Sequence, residues 1–150
     1  MKIKVFFFGK NSEMKLREKE LLKRIGFRVS VEAICIPQAG LQNTEQNKQK
    51  EALFLNKKIV HKECLIALDE SGKEMNSRDF SHFLKQCLVE RGTVNFVIGG
   101  AYGLDSSILN RANLCLSFGR MTWTRELARL MTLEQIYRAL EIDGGGNFHK

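Results

Sequence analysis

The sequence has few residues that disrupt regular structure and no long apolar run. It contains one proline among 150 residues, and 43% of its residues are hydrophobic. Low-complexity tracts are absent, so the composition excludes a disordered chain. No apolar run approaches the roughly 18 residues of a membrane-spanning helix. The opening MKIKVFFFGKNSEMK has only a short apolar stretch and no small-residue cleavage site, so we expect a first strand rather than a signal peptide, and a cytoplasmic protein.

Metal-binding and redox motifs are also lacking. The four cysteines lie 29, 23 and 28 residues apart, which matches neither a zinc-binding spacing nor a redox pair. His61 and His82 have no ligand partner at helical spacing, so we expect no metal site. Each cysteine falls in an apolar strand or helix face, which predicts four reduced thiols in the core. These are Cys35, Cys64, Cys87 and Cys115.

Positive charge is the strongest compositional signal. The net charge is +7, and residues 1–28 carry nine Lys or Arg against three glutamates. Such a surface attracts an anionic partner. Two interpretations stay open, because the cluster is either a solvated helix face or a contact for nucleic acid phosphates. Its basic residues are Lys2, Lys4, Lys10, Lys15, Arg17, Lys19, Lys23, Arg24 and Arg28.

Short apolar runs alternate with segments of helical spacing. The runs are rich in Val, Ile and Phe and have the length of strands. They lie at 3–8, 29–36, 64–68, 94–98 and 114–118. Because strand and helix alternate, the sequence predicts an α/β fold with a largely parallel sheet flanked by helices. No linker or repeat divides it, so we expect a single domain over residues 1–150.

Five helices are expected, four between these strands and one after the last strand. Side chains of Ser, Asn and Asp accept hydrogen bonds from first-turn amides and so mark helix starts. The second helix is the weakest prediction, because its first half is polar. The expected starts are Ser12, the stretch after Asn43 and Thr44, Asn76 or Ser77, Asp105, and Thr124.

The stretch FVIGGAYGLD places three glycines after a strand and before a helix. The spacing G-G-x-x-G is neither the dinucleotide fingerprint nor the phosphate loop. It indicates either a tight turn or a loop whose bare backbone approaches a ligand. Its position at a strand end favours the ligand, because open α/β sheets bind ligands outside the carboxyl ends of their strands.

Several stretches, taken in order, resemble one known family. They are LDESGKEMNS from Leu68, FVIGGAYGL from Phe96, and LSFGRMTW continuing through ELARLMTLEQIYRAL to the terminal NFHK. Together with the KIKVFFFGK opening they are similar to the ribosomal RNA large subunit methyltransferase H family, small enzymes of the SPOUT class. The resemblance implies an α/β sheet with a trefoil knot near the C-terminus, a rare exception to the rule that chains avoid threading.

The resemblance also implies an activity and its partners. Family members are homodimers that bind S-adenosylmethionine in the knot. They methylate N3 of a pseudouridine in 23S ribosomal RNA, within assembled ribosomes. Carried over position by position, the family pattern implies a donor-binding set of Leu68, Gly99, Phe118, Gly119, Arg120, Met121, Thr122 and Trp123. On residue chemistry alone, Leu68, Phe118 and Met121 are equally consistent with ordinary core.

Candidate catalytic residues follow from the same resemblance. The donor methyl is already activated, so the protein must align it and help to remove the N3 proton. His149 is the candidate for proton transfer, because imidazole exchanges protons near neutral pH. Arg129 and Arg138 are candidates for binding anions. Arg138 is alternatively structural and pairs with Glu134 one helical turn earlier.

The chain departs from the family pattern at two places. Thr124 and Arg125 stand where members usually carry Pro-His, and Phe148 replaces the terminal tyrosine. If the missing histidine seats substrate, activity is altered or lost, although Arg125 could still hold a phosphate. Two alternatives to an active enzyme therefore stay open: a catalytically lapsed RNA-binding or ribosome-binding module of the same fold, and a flavodoxin-like domain that binds a small ligand.

Overall fold

The computed structural model describes residues 1–9, 14–100 and 102–149. In these residues strands and helices alternate along the chain, as the sequence predicts. The elements are β1 (Lys2–Phe8), α1 (Lys15–Gly26), β2 (Ser30–Ile36), α2 (Thr44–Lys58), β3 (Cys64–Glu74), α3 (Ser77–Arg91), β4 (Thr93–Ile98), α4 (Ser106–Arg111), β5 (Leu114–Ser117) and α5 (Arg125–Asp143).

The five strands form one sheet in the order β2-β1-β4-β3-β5, and every described pairing is parallel. This confirms the predicted parallel α/β sheet. Because the strands are parallel, their carboxyl ends meet at one edge, followed by the glycine loop after β4 and the loop between β5 and α5. That edge is where ligands bind in open α/β sheets.

Alternation along the strands divides the core between the two faces of the sheet. In β1, Ile3 and Val5 pack on one face with α1, α3 and α5, whereas Phe6 and Phe8 pack on the other with α2 and α4. β3 repeats the pattern, with Ile66 on the first face and Leu65 on the second. Both faces are thus covered by helices, which explains the continuous apolar runs.

Helix caps agree with the sequence for α3, α4 and α5, whereas α1 begins at Lys15 with Met14, not the predicted Ser12, in the cap position. The side chain of Asn76 accepts from the Asp79 N–H, and that of Asp105 accepts from the Ser107 N–H. Thr124 caps α5, and α3 is followed by Gly92 with φ +72°. The predicted cap Ser12 lies outside the described residues. The polar second helix is present and is capped by Asn43.

One prediction about the cysteines is wrong. Cys64 and Cys87 are buried and Cys115 is half-buried, but Cys35 is exposed. It lies on β2, one of the two edge strands of the sheet, and most of β2 is not buried. An apolar run at a sheet edge is therefore not evidence of a core position.

Candidate functional site

A cleft of about 870 Å³ lies at the carboxyl edge of the sheet. We call it the glycine-loop cleft, because Gly99, Gly100 and Gly103 form one of its walls. Its volume is typical of small-molecule sites. All the predicted donor-binding residues except the exposed Arg120 line this cleft. These residues come from three separate segments of the chain. They are Leu68, Gly99, Phe118, Gly119, Met121, Thr122 and Trp123.

The glycine loop folds back on itself. A Cβ on Gly99 would lie 2.9 Å from the carbonyl carbon of Gly103, too close for any real side chain. Gly103 has φ +79°, and its N–H donates to the Gly100 carbonyl oxygen at 3.2 Å. The motif is therefore a tight turn that requires glycine at position 99, and the same turn forms a wall of the cleft.

A second wall comes from the part of β3 that the sequence did not predict. β3 continues past Leu68, and its register with β5 shifts between Leu68 and Lys73. The residues in between, 69–71, line the cleft. A Cβ on Gly72 would lie 2.6 Å from the Cys115 carbonyl oxygen, so only glycine fits there. That glycine inside a strand-like stretch was the available signal of a bulge or of close backbone approach.

The loop between β5 and α5 forms the third wall. The Ser117 hydroxyl accepts from the Gly119 N–H at 3.1 Å and donates to the Gly119 carbonyl at 2.8 Å. The Thr122 hydroxyl donates to the Glu70 carboxylate at 2.8 Å, which ties this loop to the β3 wall. Sequence reasoning did not identify Glu70, since the contact joins segments about 50 residues apart.

The apolar donor-binding candidates could instead be ordinary core residues. The structure supports this alternative for only some of them. Leu68 and Phe118 are half-buried and pack against the core. Met121 is 76% exposed and Trp123 43% exposed, so both side chains lie at the protein surface beside the cleft. A core assignment is therefore wrong for Met121.

His149 of the C-terminal tail lines a second groove, of about 920 Å³, which we call the tail groove. The ring of Phe148 meets that of Tyr137 edge-on, with 4.7 Å between centroids, and the Arg138 guanidinium lies 4.6 Å from the Phe148 ring centre. Arg138 Nη1 and His149 Nδ1 are 3.5 Å apart. The structure thus places His149 in the tail groove. The two sites share a wall made of Leu116, Phe118 and Gly119.

The two candidate anion-binding arginines are both engaged within the chain. Arg129 is 8% exposed. Its Nε donates to the Glu18 carboxylate at 2.7 Å, and its guanidinium lies 4.1 Å from the Phe7 ring centre. Arg129 lines neither the glycine-loop cleft nor the tail groove, and a catalytic role for it stays a prediction. Arg138 Nε donates to Glu134 at 3.1 Å, which is the pairing that the structural alternative predicts, and an anion-binding role for Arg138 stays a prediction.

Much of the basic cluster in residues 1–28 is neutralised locally. Its ion pairs are Lys2–Glu32, Lys4–Glu63, Arg17–Glu20, Arg24–Glu20 and Arg28–Glu141. Lys15, Lys19 and Lys23 of α1 are exposed, while Lys10 lies outside the described residues. The solvated-face interpretation therefore applies to the paired residues, and phosphate contact stays a prediction for the three exposed lysines.

Two further kinds of site were sought in the described part of the chain. No three His, Cys, Asp or Glu side chains there lie close enough together to hold a metal ion. No helix in those residues has the length and apolar character needed to cross a bilayer.

Comparison with known proteins identifies the family. The family described as "Predicted SPOUT methyltransferase" matches residues 1–149. The ribosomal RNA large subunit methyltransferase H of Streptococcus equi subsp. equi is 39% identical over 159 aligned positions, and that of Carboxydothermus hydrogenoformans is 38% identical, each match covering 100% of both chains. A solved structure from Haemophilus influenzae Rd KW20, described as a probable methylase family protein, aligns with a TM-score of 0.54 at 8% identity. It covers 99% of this chain and 70% of that one, and it bears on the fold alone. The chain belongs to the SPOUT methyltransferases, within the ribosomal RNA large subunit methyltransferase H family.

Proposed function

We propose that this chain transfers a methyl group from S-adenosylmethionine to N3 of a pseudouridine in 23S ribosomal RNA. It acts on assembled ribosomes in the cytoplasm, as a homodimer of single domains spanning residues 1–150. The observation that carries the proposal is the convergence of three separate segments, around Leu68, Gly99 and 118–123, on one cleft at the carboxyl edge of the sheet. Membership of this methyltransferase family makes the flavodoxin-like alternative unnecessary.

The glycine-loop cleft has the chemistry to hold the donor. Leu68 and Phe118 offer apolar walls to an adenine ring, and the exposed backbone of the two loops offers donors and acceptors to its edge. Asp69 and Glu70 bring negative charge to the same cleft, which complements a sulfonium. When bound, S-adenosylmethionine supplies an activated methyl group. We further propose that the segments around the cleft form the trefoil knot of the class.

His149 is proposed to take the proton from N3. The tail groove that holds it shares Phe118 and Gly119 with the glycine-loop cleft. His149 thus lies next to the donor cleft but outside it, and it has to move to come within hydrogen-bond reach of N3, as general base catalysis requires. The turn at 144–145 between α5 and the tail provides a hinge for the movement that brings His149 to substrate.

The decisive experiment is methyl transfer from labelled S-adenosylmethionine to ribosomes that lack the modification, with free ribosomal RNA alongside. Label on intact ribosomes alone is the expected result. His149→Ala should lower turnover and leave donor affinity nearly unchanged. His82→Ala is the matched control, because His82 is exposed and lines neither site.

The departures from the family pattern make a lapsed, ribosome-binding module the alternative outcome. Absence of label together with undiminished ribosome binding would establish that alternative. Label on free RNA as readily as on ribosomes would contradict the proposed substrate. A large loss of donor affinity in His149→Ala would place that side chain in the donor site instead.

A further inference from the structure

Two opposite charges stand at the carboxyl edge of the sheet without pairing with each other. Arg125, the first residue of α5, lies against Gly9 at the end of β1, with Nη1 3.1 Å from where a Cβ on Gly9 would be. Glu51 of α2 lies over Gly100 at the end of β4, with both carboxylate oxygens 3.7 Å from that Cβ position. Since β1 and β4 are neighbouring strands, the two charged groups flank one stretch of the edge.

Neither group has the partners that its charge requires. Nη1 of Arg125 is buried without a hydrogen-bond partner, and none of the described residues forms an ion pair with Arg125 within 4.0 Å. Glu51 accepts a hydrogen bond from the backbone of Ala39. Burial raises the pKa of Glu51, and the nearby positive charge of Arg125 only partly opposes this. Withdrawing a charged group from water with so few partners is costly, for the fully buried Nη1 of Arg125 and to a lesser degree for the half-buried Glu51, so both gain from a ligand that carries the complementary charges.

We propose that Arg125 and Glu51 bind the amino-acid end of the methyl donor, Arg125 its carboxylate and Glu51 its ammonium group. This assignment rests on the proposed function, because S-adenosylmethionine is the ligand that carries such a zwitterion. Arg125 and Gly100 line the glycine-loop cleft. Glu51 does not line it directly but lies against Gly100, and Lys48, one helical turn earlier on α2, does line it. The zwitterion would therefore lie at the β1 and β4 end of the cleft, with the adenine against Leu68 and Phe118.

Ribosomal RNA phosphate is the other anion in the reaction, and the geometry favours the donor. The unpartnered nitrogen of Arg125 is buried at the end of β1, beside Phe8 and Gly9. The Arg125 side chain lines both that small pocket and the glycine-loop cleft, so a carboxylate on a small molecule inside the cleft would bind nearer to this nitrogen than a phosphate on a folded RNA surface. Glycine at position 9 fits this arrangement, because it has φ +93° and a Cβ there would lie 3.1 Å from Arg125 Nη1, whereas a Cβ at position 100 would make only ordinary contact with the Glu51 carboxylate.

The test compares two nucleosides that differ in the amino-acid end. S-adenosylhomocysteine carries the zwitterion, and 5′-methylthioadenosine lacks it. By calorimetry, Arg125→Gln should weaken S-adenosylhomocysteine binding about tenfold or more and leave 5′-methylthioadenosine binding within about twofold. Glu51→Gln should weaken S-adenosylhomocysteine selectively as well. Lys50→Gln, next to Glu51 on the exposed side of α2, is the matched control and should change neither affinity.

Each other result counts against the inference. Unchanged S-adenosylhomocysteine affinity in both variants overturns it, and an equal loss for both nucleosides assigns Arg125 a structural role. An unchanged affinity for S-adenosylhomocysteine combined with a raised KM for ribosomes assigns Arg125 to RNA phosphate. Arg125→Lys, which keeps the charge, should retain part of the S-adenosylhomocysteine affinity. If the unaltered protein binds neither nucleoside, the proposed function fails along with this inference. If it binds S-adenosylhomocysteine and the variants bind it equally well, only this inference fails.

Discussion

The buried ion pair between Arg129 and Glu18 is expected to be among the most costly contacts to break. It joins α5 to α1 at 2.7 Å, and its side chains are only 9% and 11% exposed. Arg129→Met leaves the Glu18 carboxylate buried without its partner, which costs about 3–5 kcal/mol. It also removes the guanidinium that lies 4.1 Å from the Phe7 ring centre. Taking about 4 kcal/mol in all, with about 2–4 °C per kcal/mol at this chain length, the unfolding midpoint should fall by roughly 10 °C.

The assay is thermal unfolding for the midpoint and urea unfolding for the free energy, both followed by circular dichroism at one fixed protein concentration because a dimer is proposed. Glu18→Leu added to Arg129→Met should recover most of the loss, since apolar residues replace a buried pair at little cost. Arg24→Met is the control, because it breaks the more exposed pair with Glu20 and should cost less than about 1 kcal/mol.

Two results would refute this reasoning. A loss below about 1 kcal/mol for Arg129→Met would show that the pair contributes no more than a surface contact. A double variant no more stable than Arg129→Met would show that the unpaired Glu18 charge is not the cause. The double variant also tests the predicted catalytic role of Arg129. Restored stability with absent methyl transfer would support that role, and restored activity would limit Arg129 to structure.

Three further predictions concern single positions. Burial raises the pKa of the Glu51 carboxyl above its ordinary 4.5. The protonated carboxyl therefore contributes its full stability at acid pH, and that contribution is lost as pH rises through the raised pKa. Glu51→Gln should raise the thermal midpoint at pH 7 but not at pH 4. Gly72→Ala should destabilise the protein and weaken donor binding, because its Cβ would lie 2.6 Å from the Cys115 carbonyl oxygen; calorimetry with S-adenosylhomocysteine measures the second effect, and unchanged affinity would contradict it. Asn76→Ala should cost about 1 kcal/mol by removing the α3 cap, and urea unfolding would contradict this if the midpoint stayed the same.

The parallel sheet was predictable because its causes are local. Runs such as Ile3 to Phe8 place apolar side chains on both faces of the strand, which is the sequence pattern of a strand covered by helices on both faces. Asn76 and Asp105 cap helices through bonds to residues two or three positions away. Such contacts join residues that are close in sequence, so a short stretch of sequence predicts them, and the structure contains them.

Contacts between distant segments were not predictable in this way. The continuation of β3 depends on the Cys115 backbone passing Gly72, 43 residues away in sequence. The separation of His149 from the glycine-loop cleft depends on how the tail packs on Tyr137 and Arg138. The donor-binding set itself came from the family resemblance, since neither periodicity nor spacing joins Leu68 to Gly99 and Phe118.

The departure at residues 124–125 shows why both kinds of information are needed. Thr124 supplies a helix cap that proline could not, because its hydroxyl accepts from the Leu127 N–H at 3.4 Å. Arg125 is less easily explained by stability, since a cation at a helix N-terminus opposes the helix dipole at a cost of about 0.3–1 kcal/mol. Its Nη1 is also buried without a partner, which adds to that cost. Arg125 thus lowers stability in two ways while lining the edge of a ligand cleft. This combination is expected of a group that is kept for binding, where function is maintained at the expense of stability.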